Sequence, residues 1–416
     1  MVGFAVALVA AGCGTTQPHS ASTGPTSPTS SSAATGGSSG GGTGSATTGG
    51  SASTAACLSS ATPPAPGTSH PAMVAVQFVG ASRGWVVGAT AIRATTDGGA
   101  SWQDQLTGNL ALGQVDFVSS STGWAVGTDR LLGTTDAGRC WQVLGEPVAG
   151  SLRQVHFVSS TLGWGVAGGN GGAIPTSSPV PVAPRAGGIL VRTTDGGLHW
   201  REVAGVPASV QSTCFVNATT GWLAASGEVY RTTDGGSRWQ RVLDTSAGSN
   251  LLPGQPALVT LGCGSPADVW AVAASGGAAA GNSPWATFAS TDGTRFHLVT
   301  QDMFATPSSG QAPSPGSYPG VASVIGNGVA AVAGFTPALP PPMAGVTVLS
   351  ATGHVLSGVS HPTGMAAPSG IAFVSPTTGW VVGSVVPTSS ASSGGETEIA
   401  ATTDGGATWS VQKTSP

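Results

Sequence analysis

The chain has 416 residues and a formal net charge of -4. Only 7% of its residues are charged, against about a quarter in ordinary soluble domains. Its thirteen basic side chains include a single lysine, Lys413, and form no basic field for a phosphate backbone, so no nucleic-acid partner is expected.

Residues Val2 to Gly12 are apolar and end in Ala10-Ala11-Gly12-Cys13. A run this short is a signal-peptide core and cannot span a bilayer. Small residues directly before a cysteine resemble a bacterial lipoprotein signal. The resemblance implies that residues 1–12 are a signal peptide and that Cys13 carries the lipid. It also implies that the mature protein is extracytoplasmic, anchored to the bacterial cell membrane. Residues 13–71 are rich in Ser, Thr, Gly, Ala and Pro and carry no Asp, Glu, Lys or Arg. Such a segment cannot bury enough apolar surface to order itself and is expected to be a disordered tether. At about 5–6 Å times the square root of its length it would reach on the order of 40 Å.

From residue 72 to residue 416 two short elements recur. One is a Gly-Trp pair or its remnant, at Trp85, Trp124, Trp164, Trp222, Trp270 and Trp380; the copy in the sixth repeat keeps only Gly328-Val329. The other reads Thr-Thr-Asp-Gly-Gly-x-x-Trp and runs clearest over Thr95–Trp102, Thr134–Trp141, Thr193–Trp200, Thr232–Trp239 and Thr402–Trp409. Two worn copies complete the series, Ser290-Thr291-Asp292-Gly293 before Phe296, and Ser350-Ala351-Thr352-Gly353. Between these elements lie short apolar runs such as Val115–Val118, Trp124–Val126, Leu131–Leu132 and Trp141–Leu144, four per repeat. A period of about 40 residues carrying four strands is the signature of a propeller blade. The chain is therefore expected to be all-β, a seven-bladed β-propeller of four-stranded antiparallel blades over residues 72–416. Repeats one and seven each contain all four runs, so the ring is expected to close without a borrowed strand.

The Thr-x-Asp-Gly-Gly-x-x-Trp pattern resembles the Asp box, or bacterial neuraminidase repeat, in which the turn joins a blade's third and fourth strands. Locally, the carboxylates of Asp97, Asp136, Asp195, Asp234, Asp292 and Asp404 are suited to accept backbone N–H groups, while glycine supplies positive φ. Each copy offers one carboxylate where calcium needs several oxygens, so neither metal nor cofactor is expected. Over 72–416 the combined repeat set most resembles the photosystem II assembly and stability factor family. That resemblance implies a non-catalytic scaffold that holds a protein or cell-wall glycan partner, here as a monomer.

Four cysteines remain after Cys13, and four cysteines allow three connectivities. Cys214 and Cys263 fall in the first strands of consecutive repeats, which favours that pair. Cys57 with Cys140 follows by elimination and would tie the tether's end to blade two. No pair has zinc-type spacing.

The Asp-box resemblance also raises a carbohydrate-active enzyme as the alternative. Sialidase chemistry, as that family would have it, needs a Tyr nucleophile with a partnering Glu, a free Asp and an Arg triad. The chain has two tyrosines; Tyr230 sits in a third strand as packing and Tyr318 in a Pro/Gly/Ser insert. Other glycosidases need two carboxylates across a cleft. Outside the Asp turns the candidates are Asp104, Asp116, Asp129, Asp244, Asp268, Asp302 and five Glu. Asp116 and His156 occupy matching first-strand slots, where a hydrogen-bonded structural role is the commoner one. No catalytic residue is assigned. Inserts at 167–188, 275–284, 334–345 and 384–396, with 247–256 and 304–320 between repeats, should emerge on one face. Arg185, Trp285 and Tyr318 are the candidate partner contacts there.

Overall fold

The computed structural model describes residues 56–58, 72–145, 151–168, 187–251, 257–275, 283–302, 311–337, 343–385 and 397–412. These residues form seven four-stranded antiparallel sheets, each built from four strands consecutive in the chain. Blade one comprises Met73–Val79, Arg83–Gly88, Ala91–Thr95 and Gln103–Thr107. Blade seven comprises Met365–Phe373, Gly379–Val385, Thr397–Thr402 and Ser410–Gln412. The ring closes without a borrowed strand, as expected. The first strand of blade one lies against the first strands of both blade two and blade seven. There the Met73 amide donates to Thr397 Oγ1 at 2.9 Å, across 324 residues of sequence.

The first and second strands are buried almost along their whole length, whereas the fourth strands are partly exposed. This gradient follows from geometry. Inner strands are flanked by neighbouring blades on both faces, so they read as continuous apolar runs, and outer strands meet water.

Three repeat residues form one aromatic device. Trp85 of blade one stacks on Phe117 of blade two with ring centroids 3.5 Å apart, and Phe117 in turn meets Trp141 of its own blade edge-on. The same relay joins Trp124 to Phe157 and Trp200, Trp164 to Phe215 and Trp239, and Trp380 to Phe78 and Trp102. Such pairs contribute about 0.5–1.5 kcal/mol beyond the area they bury. The relay also explains the glycine before the tryptophan. A Cβ on Gly123 would sit 2.4 Å from the Phe117 ring, which lies flat over that backbone.

Blades five and six depart from this scheme. Val269 fills the glycine slot of blade five and pairs with Cys263, where other repeats have phenylalanine. In blade six Ala330 faces Leu349 across the sheet as Trp270 faces Ala289 in blade five, so the tryptophan slot is Ala330 rather than Val329.

Two disulfides are formed, Cys57–Cys140 and Cys214–Cys263. The first brings residues 56–58 against blade two, where the Leu58 amide donates to Trp141 O at 2.8 Å. The second joins the first strands of blades four and five. Cys13 and the rest of the expected signal and tether lie outside the described residues, as does Arg185.

Candidate functional site

Polar side chains on the first strands are the natural place to look for chemistry, because these strands surround the axis. Several of them reach sideways to the next blade. Gln77 donates to Phe117 O and accepts from the Phe117 amide at 2.6 Å. Gln114 does the same with Val155, at 2.8 and 2.9 Å, and Gln154 with Thr213, at 3.3 and 3.0 Å. The Phe157 amide donates to Asp116 Oδ2 at 2.7 Å, and His156 Nε2 lies 2.6 Å from Phe215 O. Ser212 and Ser323 accept the amides of Leu261 and Phe373. These bonds satisfy backbone groups that no sheet hydrogen bond reaches, because adjacent blades do not share a ladder. The matching slots of Asp116 and His156 are thus structural, as their pattern suggested.

Burial pushes the Asp116 carboxyl up from its ordinary value, against the opposing pull of His156 and the Phe157 amide. Asp268 of blade five is likewise raised by burial, opposed by the Gly328 amide and the Trp270 indole N–H. A raised carboxyl is what a general acid needs. These two sit in blades two and five, and each is fixed in a bond between or within blades.

One tyrosine–glutamate pair does occur. In blade four the Tyr230 hydroxyl donates to Glu228, which also accepts from Arg241. The cluster lies on the third and fourth strands, Glu228–Thr232 and Gln240–Asp244, away from the axis. Burial and the Glu228 carboxylate push the Tyr230 phenol up to about 12. That shift disfavours phenolate and so opposes a nucleophilic role.

The Asp turns behave as local folding devices. In blade one Thr95 donates to Asp97 Oδ1 at 2.7 Å, the Gly99 amide donates to Thr95 Oγ1 at 2.9 Å, and the Ser101 amide donates to Asp97 Oδ1 at 2.9 Å. Asp136, Asp195, Asp234 and Asp404 accept the amides of Cys140, His199, Arg238 and Thr408 in the same way. Asp292 accepts those of Thr294 and Arg295. The Ser101 hydroxyl and amide hold the Asp97 carboxyl at about 2. Even the copy without Asp keeps the frame, since Thr352 Oγ1 lies 2.9 Å from Ser350 Oγ and the His354 amide donates to Ser350 Oγ at 3.0 Å.

Two of the expected partner contacts are corrected by burial. Trp285 is 0% exposed, because residues 311–317 lie over the start of blade five's third strand and Gly316 O accepts its indole N–H at 3.1 Å. Tyr318 is 7% exposed and opens blade six's first strand, Tyr318–Gly326, rather than sitting in an insert; its ring packs 5.2 Å from Phe335. The inserts are also shorter than the sequence indicated, since Val329–Thr336, Met343–Ser350 and Gly379–Val385 extend into them. Consecutive up-and-down strands still put the second-to-third connections and the blade-to-blade connections on one face. The insert tips, with Arg185, lie outside the described residues.

Residues 67–155 match the family model described as Photosynthesis system II assembly factor YCF48. The match spans blades one and two and enters blade three. No curated protein sequence matches the chain. Among solved structures, YCF48 bound to a D1 peptide is similar at 15% identity, covering 76% of this chain and 91% of that one, with a TM-score of 0.48. YCF48 from Cyanidioschyzon merolae is similar at 14% identity, covering 84% and 88%, with a TM-score of 0.39. The GH74 xyloglucanase from Xanthomonas campestris is similar at 11% identity, covering 84% and 68%, with a TM-score of 0.49. A shared fold does not fix function, which lives in the site.

The glutamine and serine bonds between blades were missed in the sequence, although polar residues in otherwise apolar first strands are their signal. Asp268 and the covering role of 311–317 carry no comparable local signature.

Proposed function

We propose that this protein is a non-catalytic binding or assembly scaffold of the bacterial cell envelope. It presents one propeller face to a protein or cell-wall glycan and acts as a monomer held to the membrane by lipid on Cys13. The observation that carries the reading is the match of residues 67–155 to an assembly-factor family. The site chemistry agrees with it: the first-strand polar groups are committed to holding blades together, and the Tyr230 phenol is pushed in the unreactive direction. The partner-binding face is the one from which the second-to-third connections emerge, because loop-borne sites form where length can vary without disturbing the sheet.

Envelope membranes probed with the intact protein, and with a variant shortened within 169–186 and 276–282, test the face. The intact protein should retain specific partners that the shortened, folded variant loses; identical partners from both refute the assignment. A fatty-acid analogue should label the wild type and leave Cys13→Ser unlabelled and released from the membrane fraction. Equal labelling of the two removes the anchor from the proposal.

A further inference from the structure

First-strand residues of three successive blades converge at the Cys214–Cys263 disulfide. A ring nitrogen of His156 and the sulfurs of Cys214 and Cys263 all lie within 4.8 Å of one another, and all three residues are buried. His156 belongs to the first strand of blade three, Leu152–Phe157, and the cysteines to those of blades four and five, Val210–Phe215 and Leu258–Ser265. With the cysteines joined, the sulfurs are spent on the cross-link. With them reduced, the same place holds two thiols and an imidazole, a donor set that suits zinc.

The histidine ring is held by a backbone carbonyl. A backbone carbonyl can only accept, so the 2.6 Å contact of His156 Nε2 with Phe215 O places the proton on Nε2 and leaves the lone pair on Nδ1. A backbone carbonyl holding one ring N–H is the usual way a metal-binding imidazole is oriented. Phe215 directly follows Cys214 in the chain, so the group that orients the imidazole also fixes the strand carrying one sulfur.

We propose that the junction of blades three, four and five is a thiol-gated zinc site, closed while Cys214–Cys263 is oxidised and opened by a dithiol reductant. In the first step the reductant gives two electrons and two protons to the disulfide, yielding two cysteine thiols and its own cyclic disulfide. In the second, Zn²⁺ displaces both thiol protons and is held by two thiolates and the His156 imidazole, with water completing the tetrahedron. The metal then replaces the covalent bond as the staple between blades four and five and recruits blade three as well.

The test uses anaerobic, dithiol-treated full chain carrying Cys13→Ser, Cys57→Ser and Cys140→Ser, with the otherwise wild-type chain in parallel. Equilibrium dialysis against zinc should give one ion per reduced chain and none per oxidised chain. Cobalt in place of zinc should show thiolate-to-metal charge-transfer absorption of tetrahedral character. His156→Gln should leave the disulfide and the oxidised fold unchanged while weakening zinc binding in the reduced chain by at least about tenfold. Equal zinc uptake by His156→Gln overturns the proposal. So does the absence of stoichiometric binding in the reduced chain, and so does loss of the fold on reduction with zinc present.

Discussion

The junctions on either side of blade one and the junction between blades five and six hold the same ring together by different means. Around blade one, a tryptophan stacks on the next blade's phenylalanine, and the Trp380 indole N–H donates to Gly98 O of the neighbouring Asp turn at 2.9 Å. Between blades five and six the tryptophan uses no such turn carbonyl; the carbonyl used there, Ala351 O, is met by His297 Nε2. Trp270 donates instead to its own blade's Asp268 at 2.9 Å and packs among Val324, Ala330, Leu349 and Ala351. Trp285, capped by residues 311–317, enlarges the same cluster. A worn repeat therefore survives where a buried carboxylate, an aliphatic patch and an insert replace one aromatic contact. What the repeat conserves is filled volume and satisfied polar atoms rather than particular residues.

The largest effect should come from removing the aromatic device where it closes the ring. Trp380→Ala deletes the stack on Phe78 and the bond to Gly98 O. It should cost about 3–5 kcal/mol in denaturant unfolding, the range for a large buried aromatic. A loss below about 1 kcal/mol would mean that the relay is incidental. Next comes the glycine beneath the ring. Gly123→Ala must push against the Phe117 ring 2.4 Å away and should cost about 1–3 kcal/mol, as overpacking does. Blade five carries valine in that slot without phenylalanine opposite, so Val269→Ala should show only the loss of two methyl groups. Equal costs at Gly123→Ala and Val269→Ala would break the link between glycine and phenylalanine.

A gain is expected at blade two. Ala137 stands at φ 66 where the other clear Asp turns have glycine, at φ 74 for Gly98 and 77 for Gly196. Ala137→Gly relieves a left-handed alanine, worth about 1–2 kcal/mol before glycine's extra backbone entropy in the unfolded chain offsets part of it. The net should be a small rise in Tm by calorimetry.

The smallest effects separate the two kinds of carboxylate by pH. Asp97 is lowered to about 2 by the Ser101 hydroxyl and amide. A lowered folded pKa gives stability that is present above the unfolded value and is lost as pH falls through the folded one. Asp97→Asn should therefore flatten the acid limb between the ordinary value and about 2. Asp268 is raised by burial, so the sign reverses. Its proton is held more tightly in the fold, and stability falls as pH rises from the unfolded carboxylate value through the folded one. Asp268→Asn should flatten that decline, and parallel pH profiles for wild type and variant would remove the buried carboxylate from the account of this junction.

Blade number, strand order and the Asp turns were legible because each is set within one repeat; the Cys214–Cys263 pair followed from the first strands of consecutive repeats, and Cys57–Cys140 only by elimination. A carboxylate two residues after a threonine finds its amide partners within four residues, whatever the rest of the chain does. Burial is of another kind. Trp285 and Tyr318 stand outside the repeat pattern, and that irregularity suggested exposed contacts. Tyr318 is covered by Phe335 of the adjacent strand of its own blade, and Trp285 by residues 311–317, which lie over blade five before blade six begins. His156, Cys214 and Cys263 are three positions spread over more than a hundred residues that become neighbours only in the ring. The sequence alone determined each blade, because strand alternation and turn chemistry act over a few residues. Only the tertiary structure decided which side chains face one another between blades, because that depends on the rotation and spacing at which seven separate sheets pack around one axis.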